Sequence, residues 1–317
     1  MPSEFELIAR HFTRAAPSAV LGVGDDAAIV RPSPGMELVI STDMLVADRH
    51  FQADADPEDL GWKVLAVNVS DLAAMGARPR WAVLAAALPA ADERWIGAFA
   101  KGFFACAESF GVDLIGGDTT RGPRNFCAAV FGEVPPGQAL LRSGARPGDD
   151  IWISGAPGRA ALGLAHLQGR CALAEPARAA CLAALHRPQP RVGLGLALRG
   201  VAGAAIDVSD GLVADLGHIL ERSAVSARLP LEALPAAPQD VDAGLWRDCL
   251  LAGGDDYELL FTAPAARRDG IGAIAAGLGL ALTRIGAIVA GADPVPQFHD
   301  AAGQPVGLAR RGYDHFR

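Results

Sequence analysis

Val112-Asp113-Leu114-Ile115-Gly116-Gly117-Asp118-Thr119-Thr120 runs a short apolar strand, residues 112–115, into paired glycines and an aspartate. Residues 92–110 before it read as a helix stopped by Gly111, since glycine most readily enters the left-handed turn that ends a helix. Residues 126–134 after it read as another strand. Working outward, residues 37–42 are β-rich and end at Asp43. Residues 57–75 read as a helix, with Pro57 in its first position, Glu58 and Asp59 in its first turn and Gly76 just past its end. Further on, residues 151–154, 204–209, 257–262 and 282–288 read as strands and 211–223 as a helix. Strands and helices mixed along the whole chain predict an α/β (α+β) fold.

Residues 133–150 are crowded with Pro and Gly and read as a connection. They divide the 317 residues into an N-terminal domain, 1–137, and a C-terminal domain, 138–317, both of ordinary domain size. Hydrophobic residues make up 51% and charged residues 20%, which excludes a disordered chain. The net charge of -8 argues against nucleic-acid and anionic-membrane binding, which need a basic face. The longest apolar stretches, 81–91 and 271–282, contain Pro or Gly and fall short of the roughly 18 residues of a spanning helix. Five cysteines without a CxxC pair make a zinc cluster or disulfide framework unexpected and fit a reduced, cytoplasmic setting. Only Lys63 and Lys101 are lysines, and neither lies in a GxxxxGK[ST] pattern, so a P-loop is excluded. GxSxG, HExxH and complete GxGxxG motifs are missing too.

What recurs instead is a strand running into aspartates beside Gly, Ser or Thr. The instances are Gly24-Asp25-Asp26, Ser41-Thr42-Asp43, Gly116-Gly117-Asp118-Thr119-Thr120, Asp207-Val208-Ser209-Asp210-Gly211 and Gly253-Gly254-Asp255-Asp256. A carboxylate at a buried strand end must be paired, hydrogen-bonded or bound to a metal. Each motif alone has an ordinary reading as a turn residue or helix cap. As a set they supply the carboxylate and hydroxyl oxygens that hard cations such as Mg2+ take. Asn68 and Asp71 share a helix face by their i,i+3 spacing; an internal cap and a metal ligand satisfy that buried acid equally. Gly155-Ala156-Pro157-Gly158 reads as a strand-to-helix turn or as an anion-facing loop. Arg142 and Arg146 are solvated surface groups or phosphate clamps, and His50 is a structural ring or a substrate contact. Tyr257 and Glu258 alternate along the strand expected there, so they should face opposite ways, Tyr257 into the core.

These motifs resemble the thiamine-monophosphate kinase family, within the larger group that includes aminoimidazole ribonucleotide synthetase and selenophosphate synthetase. The resemblance is carried by Gly22-Val23-Gly24-Asp25-Asp26-Ala27-Ala28, Ser41-Thr42-Asp43 with His50-Phe51, Asn68-Val69-Ser70-Asp71-Leu72-Ala73-Ala74-Met75-Gly76-Ala77 and Leu114-Ile115-Gly116-Gly117-Asp118-Thr119-Thr120-Arg121-Gly122. It continues through Arg142-Ser143-Gly144-Ala145, Ile206-Asp207-Val208-Ser209-Asp210-Gly211-Leu212, Gly253-Gly254-Asp255-Asp256-Tyr257-Glu258-Leu259 and Gly312-Tyr313-Asp314-His315-Phe316. Asp255 stands where the family more often has Glu.

The resemblance implies a two-domain aminoimidazole ribonucleotide synthetase-like fold whose N-terminal sheets pair across a homodimer. The N-terminal domain would bind metal and ATP, and the C-terminal domain would complete the nucleotide and substrate site. By the same resemblance Asp26, Ser41, Thr42, Asp43, Asp71, Asp118, Asp207 and Asp210 match Mg2+ ligands. Gly117, Asp118, Arg142 and Ser209 match ATP contacts, and His50, Glu258 and Tyr313 match positions that hold thiamine monophosphate. The implied reaction is ATP-dependent phosphorylation of thiamine monophosphate to thiamine diphosphate. The acceptor phosphate, with a second pKa of about 6, is mostly dianionic at neutral pH, so no general base is expected. Rival readings are another ATP-dependent synthetase of the group, a metal-dependent phosphatase and a non-catalytic Mg-nucleotide-binding regulator. No cysteine precedes Cys106, which argues against selenophosphate synthetase.

Overall fold

The computed structural model describes residues 3–291, 293–307 and 312. The chain forms two compact units, one of residues 1–72 and 77–137, the other of 73–76 and 138–317.

The first unit begins with a short helix, α1 (Glu4–Leu7), and a small ribbon, β1 (Ala19–Leu21) with β2 (Ile29–Val30). Its body is a four-stranded sheet in the order β3 (Glu37–Val46), β6 (Asn125–Val134), β4 (Arg78–Leu88), β5 (Asp113–Arg121). β4 and β5 are parallel, which requires a crossover. Helix α3 (Glu93–Phe110) supplies it. Asp92, read from sequence as the first helical residue, instead caps that helix by accepting the Arg94 and Trp95 N–H groups, and Gly111 ends it in the left-handed conformation, at φ 67°, as the local sequence predicts. Helix α2 (Pro57–Ala74) is closed by paired bonds from Gly76 to Ala73 and from Ala77 to Leu72, the double closure typical of a glycine-terminated helix.

Both helices lie on one face of this sheet. Phe99 of α3 stacks on Phe126 of β6 at 4.5 Å, and Asn68 and Asp71 of α2 bond to β3. The two helices cross where Gly61 meets the Phe99 carbonyl and Gly102 meets the Glu58 carbonyl; a methyl at either site would collide with backbone. Phe126, Ala128, Val130, Ala82 and Leu84 are buried on this face. The opposite face carries Leu38, Ile40 and Met44, which are 40%, 61% and 53% exposed.

The second unit is built on seven strands in the order β13 (Pro305–Val306), β12 (Gln297–His299), β9 (Ser226–Pro230), β11 (Leu282–Val289), β7 (Asp149–Ser154), β10 (Leu259–Pro264), β8 (Ala204–Asp207). All neighbours are antiparallel except β12 with β9. Alternation along β10 separates two cores. Leu260 faces Leu212, Leu216 and Ile219 of α7 (Leu212–Ser223). Leu259, Phe261 and Ala263 face Leu194 and Leu198 of α6 (Val192–Leu198) and Ile271 of α9 (Arg268–Leu278). A third cluster joins α4 (Arg159–Leu167), α5 (Ala177–His186) and α8 (Ala243–Ala252) through Leu162, Cys181 and Trp246. Each such leucine buried contributes about 1.5–3 kcal/mol. The mixed α/β class is as the sequence predicts. Among the described residues no helix is long and apolar enough to cross a membrane.

Of the boundaries that differ from the sequence reading, three bear on the site. β3 continues through Asp43 to Val46, because β6 pairs with it over its whole length. β5 continues through the glycines to Arg121; Gly117, at φ 154°, lies so close to the Leu84 carbonyl that no side chain fits, and glycine here extends a strand instead of breaking it. The strand expected from residue 257 starts at Leu259. Tyr257 precedes it at φ 53° with its N–H donating to the Val208 carbonyl, so it is not a core strand residue, and the alternation expected between Tyr257 and Glu258 does not hold.

Candidate functional site: two carboxylate-bearing loops and a saturated glutamate

In the first unit the site residues gather where β3 faces α2. Ser41 and Asp43 fall on one side of the strand by period-2 alternation and Thr42 on the other. The Ser41 hydroxyl donates to Asp71 Oδ2 at 2.5 Å. The Asp43 N–H donates to Asn68 Oδ1 at 2.7 Å, and Asn68 Nδ2 donates to the Val64 carbonyl at 2.9 Å. The i,i+3 pair on α2 therefore does face the Ser-Thr-Asp motif. Thr42 Oγ1 donates to the Ala128 carbonyl at 2.9 Å. His50 accepts the Val46 N–H on Nδ1 at 3.0 Å, which puts the proton of its neutral ring on Nε2. Asp26 is exposed between β1 and β2. Asp118 is exposed on β5 opposite Ala85, with β4 and β6 between it and β3.

In the second unit the Asp207–Gly211 and Gly253–Glu258 motifs are brought together. Asp255 N–H donates to the Ser209 carbonyl at 2.7 Å, and Val208 N–H donates to the Glu258 carbonyl at 2.8 Å. Gly254, at φ 67°, sits so close to the Ser209 carbonyl that a side chain is excluded. Beneath the loop lies Asp215, 2% exposed. One of its oxygens accepts the N–H groups of Ser209, Asp210 and Gly211, each at 3.1 Å. Burial, and then the nearby Asp210 charge, push the Asp215 carboxyl up to about 7, against the pull of those N–H groups. Asp207 is buried at the end of β8, Ser209 is exposed and Asp210 half-buried. Gly312 lies against Asp210 and Ala214; Tyr313, the next residue, lies outside the described residues.

Glu258 is 6% exposed. Arg191 holds it with two bonds of 2.6 Å, Ser154 donates to Oε2 at 2.5 Å, and the Ala156 N–H donates to Oε1 at 3.3 Å. A carboxylate offers about four acceptor positions, and all are used. The neighbouring Asp256 accepts the Gly158 N–H at 2.7 Å and is buried, which raises its pKa well above the ordinary carboxyl value. Two N–H groups of the Gly155–Gly158 turn are thus engaged by the chain's own acids. The anion-facing alternative for this turn gives way to the strand-to-helix one.

Arg142 is exposed. Ser223 pins its segment by donating to the Arg142 carbonyl at 3.2 Å and accepting the Gly144 and Ala145 N–H groups. Ser223, Arg191, Ser154 and Asp215 escape the sequence reading. Asp215 alone has a local signal, an acid in the first turn of a helix that opens on a Ser-Asp-Gly loop.

The donors at Ser41, Asp43, Asp71, Asp207 and Asp210 are all oxygens, which suits a hard cation and not a soft one. Among the described residues no three His, Cys, Asp or Glu are gathered as a metal cage. Mg2+ asks for less: it is usually bound by one or two carboxylates, with waters and substrate phosphates completing the octahedron. The donor set therefore fits it.

A family model described as AIR synthase related protein, N-terminal domain, matches residues 24–134. Thiamine-monophosphate kinase of Salmonella typhimurium is 47% identical over 99% of this chain and 98% of its own length, and that of Escherichia coli K12 is 46% identical over the same shares. The crystal structure of thiamine-monophosphate kinase from Stenotrophomonas maltophilia K279a superposes with a TM-score of 0.85 at 46% identity, over 95% of this chain and 96% of that one. AaThiL, complexed with AMPPCP and TMP, superposes with a TM-score of 0.77 at 30% identity, over 93% and 92%. On fold and on near-complete identity of length alike, the chain belongs to the thiamine-monophosphate kinase family.

Proposed function

We propose that this chain transfers the γ-phosphoryl group of ATP to the phosphate of thiamine monophosphate, giving thiamine diphosphate and ADP, the last step in making that coenzyme. The observation that carries the reading is the match along 99% of the chain to thiamine-monophosphate kinases.

Several Mg2+ ions would be held, in the first unit by Asp26, Ser41, Thr42, Asp43, Asp71 and Asp118 and in the second by Asp207 and Asp210. When bound, they would neutralise the phosphate oxygens of both substrates and align them. Ser41 orients the Asp71 carboxylate and Asn68 holds the Asp43 backbone. Gly117, Asp118, Arg142 and Ser209 contact ATP, with Arg142 offering a planar fork to phosphate oxygens. His50, with its proton on Nε2, donates to the phosphate of thiamine monophosphate. Tyr313 presents a ring face to the cationic thiazolium. Glu258 exchanges its longest bond, to the Ala156 N–H, for a donor on the aminopyrimidine. The acceptor oxygen is already anionic, so positioning and charge stabilisation do most of the catalysis.

The partner is a second copy of the chain, through the face of the first unit's sheet that carries Leu38, Ile40 and Met44. An exposed apolar sheet face of this kind is characteristic of an interface. Five free cysteines and an ATP-dependent reaction suit the cytoplasm, and the net charge of -8 disfavours nucleic acid and anionic membranes.

The test is incubation of the pure chain with ATP, Mg2+ and thiamine monophosphate, followed by chromatography. Thiamine diphosphate with equimolar ADP is expected, and none without Mg2+. Inorganic phosphate alone would make the chain a phosphatase, and bound ATP without any product would make it a regulator.

A further inference from the structure

We propose that Asp215 is a positioning residue for metal binding, holding the Ser209–Gly211 backbone so that Ser209 and Asp210 present their side-chain oxygens beside the end of β8, where Asp207 lies. The inference rests on the kinase reading only for the role of that loop. Three successive N–H groups converging on one point make a concavity suited to an anion. Here the anion is internal: a single Asp215 oxygen takes all three. The opposite side of the loop is held too, since the Ser209 carbonyl accepts the Asp255 N–H and Gly211 lies so close to the Ala252 backbone that a side chain there would collide with it. With its backbone donors drawn inward and its carbonyl engaged, the loop has its side chains left to present. Ser209 is exposed and Asp210 half-buried, whereas Asp215 is sealed beneath them. Asp215 therefore acts through its neighbours and touches neither substrate nor ion.

Asp215→Asn keeps size and shape but sets an amide donor among three N–H donors. The probe is Mn2+, titrated into the full chain and followed by its electron paramagnetic resonance signal. The Kd for the ions bound without nucleotide is expected to rise about tenfold or more, as for lost supports of metal ligands. The Mg2+ needed for half-maximal turnover should rise in step, while KM for thiamine monophosphate stays within about twofold, since the effect lies at the metal and not at the thiamine end. Unchanged Mn2+ affinity in a folded Asp215→Asn chain would overturn the proposal. Should that variant not fold, Asp215→Ser, whose hydroxyl still accepts an N–H, is read in the same way. Failure of both to fold would reduce Asp215 to a folding role and overturn the proposal as well. A wild-type chain that binds Mn2+ but makes no thiamine diphosphate rejects the kinase reading and leaves the comparison of Mn2+ affinities standing.

Discussion

Arg191 grips Glu258 with two parallel bonds of 2.6 Å across 67 residues of sequence. The pair is partly to nearly fully buried, with side-chain exposures of 25% and 8%. Removing one partner strands a buried charge, a loss of about 3–5 kcal/mol in comparable pairs. Arg191→Met is expected to lower stability by that order, measured by urea unfolding. Arg191→Lys should recover only part of it, because an ammonium cannot make the fork. Equal stability of all three chains would show that the fork contributes nothing.

Asp71 tests the first unit's donors. It sits on α2 with the Ser41 hydroxyl 2.5 Å away. Asp71→Asn keeps its shape and removes the charge a cation needs. Turnover is expected to fall by about a hundredfold or more, the scale of losing a group that acts on transition-state charge. The circular dichroism spectrum and Tm should hold. Full activity would remove Asp71 from the metal set.

What the sequence makes legible is what is locally encoded. Gly111 stops α3 as read, because a glycine after a helix acts within one turn. The five aspartate motifs are legible for the same reason. Gly117 is misread because its meaning depends on the Leu84 carbonyl of another strand. Tyr257 is misread because its left-handed backbone is held by Val208, far back in the chain. Arg191 has no local signal at all. Its partner is named by the fold, and only the folded chain shows that Glu258 has no acceptor position to spare.

The crossing of α2 and α3 predicts a steep steric penalty. Gly102→Ala adds about 1 kcal/mol of helix propensity, but its methyl would strike the Glu58 carbonyl. Backbone cannot rotate away as a side chain does, so the helices must part, at a cost of about 1–3 kcal/mol or more. The variant is expected to be less stable than wild type by calorimetry despite its better propensity. An increase in Tm would show that the crossing is looser than the close approach implies.

Asp150 predicts an acid-side pH dependence. Arg268 donates two bonds to it, at 2.6 and 2.8 Å, and Arg284 a third at 3.3 Å. The Arg268 hydrogen bonds, against the opposing effect of burial, hold its carboxyl below the ordinary value of 3.8. The unfolded chain then binds the proton more readily, so the stabilisation is present above the unfolded value and is lost as pH falls through the folded one. The stability difference between wild type and Asp150→Asn should be constant near neutrality and shrink below pH of about 4. A difference that grows as pH falls would contradict the assignment.

Ile40 predicts the state of assembly. It is 61% exposed at the centre of the row Leu38, Ile40, Met44 on β3. Neighbouring Phe131, Ala129 and Val83 lie on the same side by strand register and are half-buried. Helices of the first unit cover the other face, and this one stands exposed among the described residues. Ile40→Asp would place a charge in the middle of the interface, where an unpaired carboxylate is strongly disfavoured. The wild-type chain should run as a dimer in light scattering and the variant as a monomer that retains its circular dichroism. A monomeric wild type would leave this face without the partner proposed for it. A dimer unaffected by the change would place the interface elsewhere on the chain.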